Sequence, residues 1–187
     1  MSLTTESRDF LIALARRAIR RGLGAAEAGA PELAGCPVEA LAHRACFVTL
    51  TTPANGLRGC RGSLEARRAL AADVWHNAWA SAFDDPRFTP VTARQLDELE
   101  VEISVLSALE AVTVASEEEL RRALVPGCDG LVLAWRGHRA TFLPKVWDML
   151  PDPREFLAQL KLKAGLPAAF WAGDVQIFRY QVESLTA

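Results

Sequence analysis

The chain predicts an α+β fold with mainly antiparallel strand pairing. Strand-like and helix-like segments alternate without a regular βαβ period, several strand connections have hairpin length and turn residues, and no internal repeat is evident. Its 187 residues, 50% hydrophobic and 24% charged, can bury a substantial core as one domain or as two intimately packed subdomains. With 21 basic and 23 acidic side chains the formal charge is −2, which supplies no global field for holding nucleic acid. The apolar runs are far shorter than the roughly 20 residues a membrane span needs, and "FLIALA" is too short and too soon followed by arginines for a signal peptide, so a cytoplasmic protein without a membrane partner is expected.

A first helix should begin near Thr4 or Thr5 and end near Gly22, because Leu11, Leu14, Ala15 and Ala18 recur at helical spacing. Arg16, Arg17, Arg20 and Arg21 crowd its last turns, where cations complement the helix macrodipole and are usually solvated. "GLGAAEAGAPELAGCP" reads as a loop with room for one helical turn. Residues 44–63 read as a strand pair around "PANG", whose Asn-Gly favours a tight turn. From Arg67 to Phe83 a second helix has a broad apolar side that includes Trp75 and Trp79, expected in the core, and a polar side with Asp73, His76 and Asn77.

"TARQLDEL" should be a short helix leading into the strand "EVEISVLS", whose alternation predicts one wet face. Ser116 followed three residues on by Glu119 is a capping box that starts another short helix. "DGLVLAWRGHRATFLP" predicts a hairpin turning at Arg136 to His138, and "DPREFLAQLKLKAGL" a helix opened by Asp152 and Pro153 and closed by Gly165. "VQIFRYQVES" is the last strand, and any subdomain boundary should fall within 110–130.

Four cysteines, Cys36, Cys46, Cys60 and Cys128, form no C-x-x-C pair and read as thiols. The Cys36, His43, Cys46 spacing fits no common zinc template, so neither a metal nor a cofactor is expected. The chemistry concentrates in "LRGCRGSL". If this stretch is extended, the alternation puts Arg58, Cys60 and Gly62 on one face. A cation beside the thiol would then favour thiolate, and flanking glycines let backbone N–H groups approach a ligand. The bland alternative is a glycine-bulged strand carrying a small buried thiol. In "SAFDDPRF", Asp84 and Asp85 adjoin without sharing a face, Pro86 stops the helix, and capping with an Asp–Arg pair to Arg87 competes with a ligand-facing role. His76 or His138 could serve as the base a nucleophilic cysteine needs, though each reads first as a surface histidine.

"LRGCRGSL", "SAFDDPRFTPVTARQLDELEVEISVLS", "DGLVLAWRGHRATFLPKVWD" and "FLAQLKLKAGLP", in that order, resemble the signature blocks of the AMMECR domain family from about Phe47 to Arg179. The resemblance implies two intimately packed α+β subdomains with a cleft between them, lined by the L-R-G-C block, and a family of unestablished biochemical activity. It carries the block onto Leu57, Arg58, Gly59, Cys60 and Gly62. Its bacterial members bear the AmmeMemoRadiSam system name, which implies a Memo-like protein and a radical SAM protein as partners. Arg61 stands where the family usually has an aliphatic residue and Lys145 where "FLPQV" would supply Gln, so both departures add positive charge.

Two functions follow. One is an enzyme, or a component of an enzyme system, that binds a small anionic ligand, with Cys60 reactive, Arg58 as anion clamp, and Leu57, Gly59, Gly62, Asp84, Asp85, Arg87 and Lys145 around the ligand. The other is a non-catalytic module that binds a ligand, peptide or RNA at the same place. Tight nucleic-acid binding is not expected, because the only dense basic cluster lies at one helix end.

Overall fold

The computed structural model describes residues 2–25, 33–54 and 56–186. Two compact units emerge, one formed by Met1–Leu106 with Glu183–Ala187 and the other by Ser107–Val182.

In the first unit, helix α1 (Thr5–Gly22) is capped by Thr4, whose hydroxyl accepts the Ser7 N–H, and it buries Leu11, Leu14, Ala15, Ala18 and Ile19. Residues 26–32 of the alanine- and glycine-rich loop, like the Asn55 of the Asn-Gly turn, lie outside the described residues. The loop's described end holds a single turn at Leu33–Gly35 and a short helix α2 (Val38–Leu41). Strands β1 (Cys46–Thr52), β2 (Gly56–Gly62) and β3 (Glu100–Leu106) join the C-terminal strand β8 (Val182–Thr186) in the order β2-β1-β3-β8. Both ladders of β1 are antiparallel.

Helix α3 (Leu70–Phe83) begins at Leu70, not at Arg67, and packs against α1, β1 and β2. Of its polar side only His76 is exposed. Asp73, Asn77 and Ser81 recur every four residues and are all buried, with hydrogen bonds into the backbone of the strands: Asp73 accepts the Cys46 N–H, Asn77 donates to the Cys46 carbonyl, and Ser81 donates to the Val48 carbonyl. With this stripe and the small Ala71, Ala78 and Ala82 both turned inward, the bulky rings lie at the margin. Trp75 is half-buried and Trp79 is 42% exposed, which corrects the expectation that both fill the core. The wet face expected of β3 is also reduced, because Ser104, opposite Phe47, is buried and so is Leu106. The segment expected as a short helix is a tighter 3₁₀ turn, Ala93–Glu98, with a Thr92–Gln95 capping box.

The second unit holds β4 (Glu110–Ala111), β5 (Gly130–Trp135), β6 (His138–Phe142) and β7 (Gln176–Tyr180) in the order β4-β7-β5-β6, with helices α4 (Glu117–Ala123) and α5 (Pro153–Lys163). Its core gathers Leu131, Leu133, Phe156, Leu160 and Ile177, with the Trp147 ring stacked on Phe156 at 3.7 Å. The β5–β6 hairpin turns on Arg136 (φ 44°) and Gly137 (φ 91°), the pair of left-handed residues a two-residue turn demands. Ser116 caps α4 as expected, but the Glu119 carboxylate takes the Ala115 N–H, one residue short of a full capping box. Asp152 and Pro153 open α5, and Gly165 follows it at φ 77°.

The single last strand expected over 175–184 is two. It breaks at Gln181 into β7 and β8, which belong to different sheets. The chain therefore enters the second unit after Leu106 and leaves it after Val182, so the boundary is a double crossing, one just upstream of 110–130 and one far downstream of it. Within the second unit its two ends are joined by reciprocal bonds, Ser107 N–H to the Gln181 carbonyl and Gln181 N–H to the Ser107 hydroxyl. Such a pairing joins residues 74 apart, which no local pattern records.

Candidate functional site

The ladder between β1 and β2 slips by one residue at its middle. Leu50 faces Gly59 and Thr51 faces Leu57, so Arg58 is an extra residue with no partner across the ladder. A bulge of this kind resets the alternation. Arg58 and Gly59 are both buried, whereas Leu57 is 41% exposed and Cys60 half-buried. The expectation that Arg58 and Cys60 share a face as neighbours is therefore corrected. Arg58 sends one guanidinium nitrogen to the Thr89 carbonyl at 2.6 Å and to the Pro90 carbonyl at 3.3 Å. It is a strut between β2 and the segment after α3, and its hydrogen bonds go to backbone carbonyls, not to an open anion site.

The glycines have separate causes. A Cβ on Gly59 would lie 2.0 Å from the Ser81 carbonyl oxygen, so only glycine lets the strand close on α3. A Cβ on Gly62 would lie 2.4 Å from the Phe47 ring and 2.5 Å from the Cys46 carbonyl oxygen.

Cys60 is held by its backbone. Its N–H donates to Asp85 Oδ2 at 2.9 Å, and its sulfur accepts from the Thr49 hydroxyl at 3.4 Å across the ladder. Asp85 is buried and takes three further donors from Arg87: the backbone N–H at 3.1 Å, Nε at 2.9 Å and the terminal nitrogen at 2.6 Å. These bonds, the Arg87 side chain first, hold the Asp85 carboxyl well below the usual carboxylate range. The same pair raises Arg87, with smaller contributions from the charge of Asp85 and from Cys60. The cation at Cys60 is thus Arg87, which also reaches the Cys60 carbonyl at 3.5 Å.

Asp84 diverges from its neighbour. It is exposed and pairs with Arg61 at 3.3 Å, while the Arg61 N–H donates to the Ser81 hydroxyl. Arg61, the charged departure from the family pattern, is thereby exposed and paired. Lys145 belongs to the second unit, exposed in the turn Pro144–Asp148. Of the two candidate bases, His76 is exposed on α3, and His138 begins β6 with Nδ1 at 2.9 Å from the Ala164 carbonyl. Among the described residues no histidine bonds the Cys60 sulfur. Nor do three or more His, Cys, Asp or Glu residues among them gather as a metal site would require, and no helix of theirs is long and apolar enough to cross a membrane.

Sequence reasoning missed Thr49, Ser81, Thr89 and Pro90. Ser81 was legible as the third member of the Asp73–Asn77 stripe. The carbonyls of Thr89 and Pro90 carry no residue-type signal at all.

Bulged strand, positioned thiol and buried carboxylate define an α+β protein of two units with its distinctive residues gathered on β2 and the α3 exit. The AMMECR1 family model matches residues 12–185, from the first helix to the last strand, and the chain belongs to that family. The match extends beyond the 47–179 span of the signature blocks. Among relatives, a protein from Thermofilum pendens is 37% identical over 97% of this chain and 90% of its own length. "Protein MJ0810" from Methanocaldococcus jannaschii is 37% identical over 75% of this chain and 71% of its own. The crystal structure of uncharacterized protein PH0010 from Pyrococcus horikoshii superimposes with a TM-score of 0.87 at 34% identity, covering 97% of this chain and 92% of that one.

Proposed function

We propose that this AMMECR1 protein binds a small anionic molecule beside Cys60, with Arg87 as the cation that meets it and Cys60 as the group that contacts or reacts with it. One observation carries the reading. A single buried carboxylate, Asp85, holds the backbone of a half-buried thiol and the guanidinium of a 55% exposed arginine in one fixed arrangement. Positioning of that kind suits a binding or reactive group, since a merely structural thiol needs no cation set beside it.

Thermal shift and titration with inorganic phosphate and simple carboxylates test it. Wild type should be stabilised, and Arg87→Lys, which keeps the charge but loses the planar fork, should weaken the effect by about tenfold in affinity. Identical responses from wild type, Arg87→Lys and Cys60→Ser would reject the site.

A non-catalytic ligand-, peptide- or RNA-binding role has its own support, because the sulfur's hydrogen bond comes from Thr49 and not from a base. Alkylation rate against pH separates the two: a catalytic Cys60 should outpace the exposed Cys128 near neutral pH, a binding one should not. The Memo-like and radical SAM partners, like the AmmeMemoRadiSam assignment itself, rest on the resemblance and are tested by co-purification. A cytoplasmic location accompanies this reading, supported by four free thiols.

A further inference from the structure

Where α1 and α3 lie side by side, aromatic rings meet cations. Trp75, Trp79 and Phe83 recur at every fourth position of α3 and so form one stripe. Arg17 on α1 holds its guanidinium 5.6 Å from the Trp75 ring centre. Trp79 leans on Phe83 with centroids 5.7 Å apart and an interplanar angle of 47°. Phe83 in turn lies against the end of α1, so closely that a Cβ on Gly22 would come within 2.1 Å of its ring. Arg20 and Arg21 occupy that last turn and are exposed. Among the described residues none of these three arginines is in an ion pair with a carboxylate, and Asp84, next in sequence to Phe83, is taken by Arg61.

We propose that this face is the docking surface for an acidic segment of a partner protein, with Trp79 as the apolar anchor and Arg20 and Arg21 meeting its carboxylates. Tryptophan and arginine are the residue types that dominate interface energetics, and an exposed tryptophan braced by a second ring loses little freedom on binding. The macrodipole accounts for cations at the end of α1 but not for a 42% exposed tryptophan resting on the same Phe83 that covers Gly22. Charge complementarity selects an acidic occupant. A nucleic acid fits less well: three arginines neutralise too few phosphates to hold at physiological salt on a chain of net charge −2, and Phe83 covers part of the ring a base would stack on. This surface is independent of Cys60.

A displayed library of random short peptides, selected against the full chain, tests the proposal, with single-stranded oligouridylate as the competing probe. Selected peptides should be rich in Asp and Glu around a Leu, Phe or Trp. Their affinity should fall at least about tenfold in Trp79→Ala and in the double variant Arg20→Ala with Arg21→Ala, while circular dichroism and melting temperature hold. Peptides without acidic enrichment, equal binding by the variants, or oligouridylate binding more tightly than the peptides would each overturn it. If Trp79→Ala unfolds, Trp79→His on a folded background gives the same reading of the anchor.

Discussion

The carboxylate of Asp85 accepts the backbone N–H of Cys60 at 2.9 Å while also holding the guanidinium of Arg87 at 2.6 Å. A half-buried thiol and an exposed cation are thereby tied to one buried charge.

Asp85→Asn should cost about 2 kcal/mol, the scale of hydrogen bonds to a charged group, because the amide has no charge and one accepting oxygen, whereas the carboxylate uses both, Oδ2 for Cys60 and the Arg87 terminal nitrogen and Oδ1 for the Arg87 Nε and backbone N–H. The native carboxyl is depressed below its ordinary value of about 3.9, so its contribution is fully present above that pH. It is lost as pH falls through and below that value. Urea midpoints of wild type and variant should therefore converge between about pH 4 and pH 2, and a constant gap over that range would contradict the assignment.

Arg58 should matter for stability, not for anion affinity. Arg58→Ala leaves the carbonyls of Thr89 and Pro90 without their donor, at a cost of about 1.5 to 3 kcal/mol in denaturant unfolding. Arg58→Lys should recover part of it, and phosphate titration should give the same affinity for Arg58→Lys as for wild type. A large affinity loss with unchanged stability would restore the clamp expected from sequence.

Gly59→Ala should destabilise by more than about 2 kcal/mol, because its Cβ meets a backbone oxygen of α3 that cannot rotate away. Gly173→Ala is the control, since nothing lies within 4 Å of its added Cβ and its φ is not in the left-handed region. Equal melting temperatures for the two variants would refute the close approach.

Tyr180 is the chain's only tyrosine, so its ionisation can be read by ultraviolet absorbance. Burial pushes it up to about 12, partly offset by the Thr141 hydroxyl at 2.8 Å. The stability it contributes is complete below the ordinary value of about 10 and is lost as pH rises from there toward 12. A reversible midpoint near 10 in the folded protein would show an exposed phenol instead.

What the residues alone determined is the local structure. The Thr4, Ser116 and Asp152 caps, the helical spacing of Leu11, Leu14, Ala15 and Ala18, and the paired strands around β1 all depend on neighbours within a few positions, where propensity and periodicity act directly. The family was equally legible, because its blocks are runs of consecutive residues. Only the tertiary structure decided which partners the site residues take. Twofold alternation put Arg58 beside Cys60, but one extra residue opposite Leu50 and Thr51 reset it, and that shift is set by how β2 pairs with β1 and closes on α3, not by the residue types of β2 itself. Asp85 found Cys60 across 25 positions and Arg58 found Thr89 across 31. Bonds of that span are chosen by which surfaces close on one another in the fold, and a carbonyl acceptor looks the same in every residue, so neither partner could be read from the chain.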